Sequence, residues 1–163
     1  QDNALSWIDW ESADADLLEF ARSVSAVRSA HPVFRRRRFF NGRPVREAGA
    51  AALPDIAWLA PDGSDMTTED WETGYAKSVA VYLNGQGIPD TDVRGQRVVD
   101  DSFLLCFNAH YEAIEFTLPP EEFGTSWVPI VSSAANPDDE PLAPGARVNV
   151  EARAVLVLQA HQD

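Results

Sequence analysis

The stretch Asp100-Asp101-Ser102-Phe103-Leu104-Leu105-Cys106-Phe107-Asn108 decides how this chain is read. From Ser102 to Asn108, apolar residues fill both alternating faces, the pattern of a strand at the centre of a sheet between two layers. The neighbouring segments then fall into place. Ile114, Phe116 and Leu118 alternate with Glu115 and Thr117, which gives a strand with one wet face. Upstream, the segment from Lys77 to Leu83 places Val79, Val81 and Leu83 on one face, and Asn84-Gly85 turns the chain. A polar loop over residues 85–100 joins these two strands. Ile56-Ala57-Trp58-Leu59 is a shorter strand, stopped by Pro61-Asp62-Gly63. Downstream, Trp127 to Val131 reads as a strand broken at Pro129. Arg147–Val150 and Ala154–Leu158 finish the chain, with Glu151-Ala152-Arg153 as a bend or bulge between them. Short strands joined by turn-rich loops imply an antiparallel β-sandwich. Trp58 and Trp127, both in strands, are expected in its core.

Ahead of this β-region lies one helical pattern. Between Asp14 and Ala30, Leu17, Phe20, Ala21, Val24 and Val27 recur at the spacing of one helix face. Ser12 or Asp14 supplies an N-cap, and His31-Pro32 ends the helix. The stripe is too apolar to face water and needs a partner surface. The chain opens at Gln1-Asp2-Asn3 without a methionine and passes Trp7 and Trp10 on the way to the helix. One helix before an all-β region does not close a layered core alone. The expectation is therefore that the opening is the cut end of a larger domain.

The bulk composition narrows the function classes. A length of 163 residues with 45% hydrophobic content suits one domain plus a remnant, or one large domain. No apolar run approaches the roughly 18–20 residues of a membrane span, and the visible segment carries no basic-plus-apolar leader. Cys106 is the sole cysteine, so an intrachain disulfide is excluded and a reducing cytoplasm is the expected compartment. Its apolar neighbours mark it as a small core residue rather than a reactive thiol. The net charge of -13 disfavours nucleic acid and anionic membranes as partners. Residues 31–60 are the exception, with six arginines against two acids. Within them, Arg35-Arg36-Arg37-Arg38 reads as a solvated or ion-paired run facing acidic neighbours, not as a phosphate site.

Few side chains suggest chemistry. There is no nucleophile elbow, phosphate-cradling glycine loop or zinc spacing, and neither cofactor nor metal is expected. His31, His110 and His161 are scattered, in surface or capping positions. Asp100 and Asp101 are adjacent, so on a strand they point to opposite faces. Asp62, Asp65, Glu69 and Asp70 lack the ligand spacing of a calcium loop. Thr67-Thr68-Glu69-Asp70-Trp71 reads as one capped helical turn, and its Trp71 is the best candidate for stacking on a sugar. Gln1, Asp2 and Asn3 place three hydrogen-bonding side chains just before the helix. Such a loop fits either a polar lead-in or the catalytic face of a βα-barrel.

Several stretches, in fixed order, resemble glycogen debranching enzymes of the isoamylase type, within the α-amylase superfamily. They are Gln1-Asp2-Asn3, Trp7-Ile8-Asp9-Trp10, and His31-Pro32-Val33-Phe34 running on through Arg43. Asp55-Ile56-Ala57-Trp58-Leu59, Pro61-Asp62-Gly63-Ser64, Met66-Thr67, Asp70-Trp71, Leu83-Asn84-Gly85 and Asp100 to His110 continue the likeness. Ala4 stands where the family often has glutamate, and Ala60 where it often has arginine. The resemblance implies that residues 1–33 are the end of a catalytic (β/α)8 barrel with its last helix. Residues 34–163 are then the C-terminal β-sandwich, so the missing barrel domain is a partner. The implied parent activity is retaining hydrolysis of α-1,6 branches in glycogen or limit dextrin, by two carboxylates roughly 5 Å apart. In the family those carboxylates precede the Gln-Asp-Asn motif, so no catalytic residue is placed on this chain, and the chain alone is expected to be inactive. Gln1, Asp2 and Asn3 would lie near the bound α-glucan in a supporting role. The alternative is a free-standing carbohydrate-binding or interaction module, motivated by the five tryptophans. As a fragment of the parent enzyme, the chain would expose its interdomain apolar surface, which leads to self-association or to folding of the helix back onto the sandwich.

Overall fold

The computed structural model describes residues 2–45, 52–73, 77–135 and 137–161. In chain order the elements are α1 (Ala15–Ala30), β1 (Ile56–Leu59), α2 (Thr68–Glu72), β2 (Ser78–Leu83), β3 (Phe103–Asn108), β4 (Ile114–Thr117), β5 (Ser126–Ser132), β6 (Arg147–Val150) and β7 (Ala154–His161). Short 3-10 turns cover Pro32–Arg35, Gly85–Gly87 and Glu121–Phe123. Among the described residues, no helix is long and apolar enough to cross a membrane.

Among the described residues, the strands form two antiparallel sheets. One has five strands in the order β1-β2-β3-β7-β5, and the other pairs β4 with β6. β3 sits at the centre, as its two apolar faces require, with Leu104 opposite Tyr82 on one side and Leu158 on the other. The Glu151-Ala152-Arg153 segment is a corner between sheets, since β6 belongs to the small sheet and β7 to the large one. Arg153 takes a positive φ of 54° there, and its N–H donates to the His110 carbonyl.

Two apolar layers result. Between the sheets, Leu59, Tyr82, Leu104, Cys106, Leu156 and Leu158 pack with Phe116, Leu118, Val150 and Trp127. On the outer face of the large sheet, Val81, Leu83, Phe103, Val131 and Val157 pack with Val33. Phe20 and Val27 of α1 join this second layer, with Phe34 and Phe40. The Asp14 carboxylate caps α1 by accepting from the Asp16 and Leu17 N–H groups, and the His31 N–H donates to the Val27 carbonyl at the other end. The helical stripe is only half used, because Leu17 and Val24 stay exposed.

Three expectations change in the structure. β5 runs unbroken through Pro129, with a register shift between Pro129 and Val131. As an edge strand it tolerates a residue that donates no ladder hydrogen bond. Trp127 is fully buried, but Trp58 is not in the core. Ala57 and Leu59 take the inward positions of β1, so the two-residue period turns Trp58 outward at the sheet edge. β2 buries both faces, with Ala80 and Tyr82 on one side and Val81 and Leu83 on the other.

Candidate functional site

The residues singled out in the sequence lie in separate places. Gln1 is outside the described residues. Asp2 and Asn3 are exposed at the start of the chain. The Trp7 indole N–H donates to the Asp2 carboxylate, and the Leu5 N–H donates to the Asn3 side-chain oxygen at 3.0 Å. The Asn3 carbonyl also accepts from the Ser6 N–H and hydroxyl. This local turn presents an amide and a carboxylate to solvent.

Trp71 does not stand alone. It is 55% exposed, and Trp58 beside it is 43% exposed. Their ring centroids are 5.4 Å apart with the planes at 75°, an edge-to-face corner. Short-range geometry fixes the backbone beneath both rings. The Met66 N–H donates to the Trp58 carbonyl, so the chain returns alongside β1 before α2 begins. A capping box then starts α2: the Asp70 N–H donates to the Thr67 hydroxyl, and the Thr67 N–H donates to the Asp70 carboxylate. The Thr67 hydroxyl also donates to Asp70, and these bonds hold that carboxyl below its usual range. Asp62 is lowered in the same way by the Ser64 hydroxyl and N–H. These two acids therefore serve as acceptors for their own loop. The signal for Trp58 as Trp71's neighbour was the Ala57/Leu59 alternation, which reserves the inward face for smaller side chains.

A second cluster joins α1 to the sheet. Nδ1 of His31 lies 2.8 Å from Oδ1 of Asp100, and the Val33 N–H donates to Oδ2 at 2.9 Å. Asp101 accepts from the Gln159 side chain at 2.7 Å. Asp100 and Asp101 precede β3, so strand alternation does not separate them, and their oxygens approach the same histidine within 4.8 Å. The geometry would admit a cation. Protein donors already engage these carboxylates, however, and the chemistry is that of a clasp.

Arg36 shows why the arginine run is not a phosphate patch. Its guanidinium is buried, pairs with Asp55 at 2.9 Å and lies over the Phe40 ring at 3.9 Å. The Arg37 N–H donates to Asp90. Sequence reading missed Asp55, whose partners are distant in the chain. An acid placed directly before an apolar strand was the available signal. Cys106 is buried, and burial raises its thiol to about 12, so it is not a nucleophile at neutral pH.

Comparison with known proteins gives this scaffold a context. Residues 55–159 match the family "Isoamylase, C-terminal". The chain is 48% identical over 163 residues to the "Glycogen operon protein GlgX homolog" of Mycobacterium tuberculosis strain H37Rv, covering 98% of this chain and 22% of that protein. It is 27% identical to the "Glycogen debranching enzyme" of Dickeya chrysanthemi over 76% of this chain and 15% of that enzyme. The corresponding enzyme of Pectobacterium carotovorum is 28% identical over 73% of this chain and 14% of its own length. The chain thus spans about a fifth of the length of the mycobacterial relative. The match begins at Asp55, the acid that anchors β1, and ends within β7 at Gln159, so the sandwich described above is the matched unit: this chain belongs to the isoamylase C-terminal family.

Proposed function

We propose that this chain is the C-terminal portion of a glycogen debranching glycosidase, acting as scaffold for hydrolysis of α-1,6 branches. Residues 1–33 complete the catalytic barrel, and residues 34–163 brace it. One observation carries this reading. The 48% identity covers 98% of the chain, so the helical segment and the sandwich are similar to one relative together. The half-covered stripe of α1 supports it, because Leu17 and Val24 present an apolar surface for a further domain. Asp2 and Asn3, with Gln1 ahead of them, would then stand at the barrel rim and accept or donate hydrogen bonds to glucan hydroxyls. The nucleophile and the general acid belong to the part of the parent enzyme outside this chain.

The test is an incubation of the 163-residue chain with a branched limit dextrin, beside a longer protein of the relatives' size. The longer protein releases linear oligosaccharides, and the chain alone releases none. Debranching by the chain alone would overturn the scaffold reading. A second reading, a carbohydrate-binding module, is favoured by the exposed Trp58–Trp71 corner.

A further inference from the structure

We propose that the Trp58–Trp71 corner is a docking site for an α-1,4-linked glucan chain. The inference rests on the glucan-acting role proposed above and adds a specific site on the sandwich. Two indoles at 43% and 55% exposure leave a large apolar area in water at one point of the surface. The backbone beneath both is hydrogen-bonded, β1 to the returning chain at Met66 and α2 through its capping box. The edge-to-face contact restrains each indole against the other, which lowers the side-chain freedom lost on binding.

The occupant follows from the chemistry of the segment that carries the rings. Between Trp58 and Thr73 there are five acids, Asp62, Asp65, Glu69, Asp70 and Glu72, and neither lysine nor arginine. Polyanions and acidic proteins are repelled from such a surface. Ser64 and Thr67 already satisfy Asp62 and Asp70 in part, and a carboxylate has further lone pairs to accept hydroxyl donors. A neutral, polyhydroxylated chain supplies both apolar C–H faces for the indoles and O–H donors for the rim. The angle between the rings selects among such chains. Planes at 75° offer a bent surface, which suits the curved course of an α-1,4 glucan and not the flat ribbon of a β-1,4 glucan.

Affinity electrophoresis of the 163-residue chain tests the site, with native gels cast with glycogen, with hydroxyethylcellulose or with no polymer. The expected result is retardation by glycogen alone. Trp58→Ala and Trp71→Ala should each weaken it about five- to tenfold, and Trp71→Tyr should restore most of it. Phe39→Ala, an exposed ring outside the pair, should be neutral. Circular dichroism confirms that each variant is folded, and maltoheptaose shifts of the indole N–H resonances locate the contact. Three results would overturn the proposal: unchanged mobility in glycogen, equal retardation by the β-linked polymer, or full glycogen binding by a folded Trp58→Ala/Trp71→Ala variant. Such a failure leaves the scaffold reading standing, since that depends on the limit-dextrin assay.

Discussion

Asp55 shows how much of the fold hangs on a single carboxylate. It is 3% exposed and accepts from the Arg36 guanidinium and from the Asn41 and Gly42 N–H groups. Removing one member of a buried ion pair strands the other charge, which costs about 3–5 kcal/mol. Asp55→Ala should therefore lose stability on that scale in urea unfolding, and adding Arg36→Met should recover part of it. Gly85 is constrained by space instead of charge. A Cβ there would lie 2.1 Å from the Asp101 carbonyl oxygen and 2.2 Å from that of Asp100, so Gly85→Ala should lower the melting temperature. Cys106 was legible in sequence because apolar residues flank it on both sides. Its raised thiol, at about 12, should leave it unreactive toward a disulfide reagent at pH 8 until the chain unfolds. The Arg36–Asp55 pair was not legible, since nothing local distinguishes Arg36 from the arginines beside it.

Local signals read well wherever an element is closed by its own neighbours. α1 has its Asp14 cap and its stop before Pro32, and α2 has its Thr67–Asp70 box. The box makes the corner turn sensitive to acid. Thr67 holds Asp70 below the usual carboxylate range in the folded chain. The cap's contribution is therefore complete above the ordinary carboxylate pKa, about 4, and is lost as pH falls through the lower folded value. The Trp71 indole N–H resonance should stay fixed from neutral pH down to about pH 5 and move only in stronger acid. Asp70→Ala should show the acid-type resonance already at neutral pH. Elements set by distant partners were less legible. The placement of β6 and β7 in different sheets depends on a corner, and the outward turn of Trp58 depends on which strand forms the edge. Neither follows from periodicity within a few residues.

Across the whole molecule, apolar surface remains where no described residue covers it. Leu5, Trp7, Ile8 and Trp10 are exposed ahead of α1, and Leu17 and Val24 are exposed along it. Phe20 and Val27 use only one edge of the stripe against the sheet. Single exposed hydrophobes are ordinary, but a patch spread over one segment and one helix face is an interaction surface. Under the proposed function, the rest of the barrel covers it. The isolated chain lacks that cover, and its net charge of -13 opposes but does not remove the attraction between two such patches. Sedimentation velocity should show the weight-average coefficient rising with concentration, and more steeply in added salt, which screens the charge. Replacing Trp7 and Trp10 by serine should return the chain to a concentration-independent monomer, and covalent attachment of the preceding barrel should do the same. A chain that stays monomeric at every salt concentration with both tryptophans in place would show that this face is not built for contact. The barrel-completing role of residues 1–33 would fall with it.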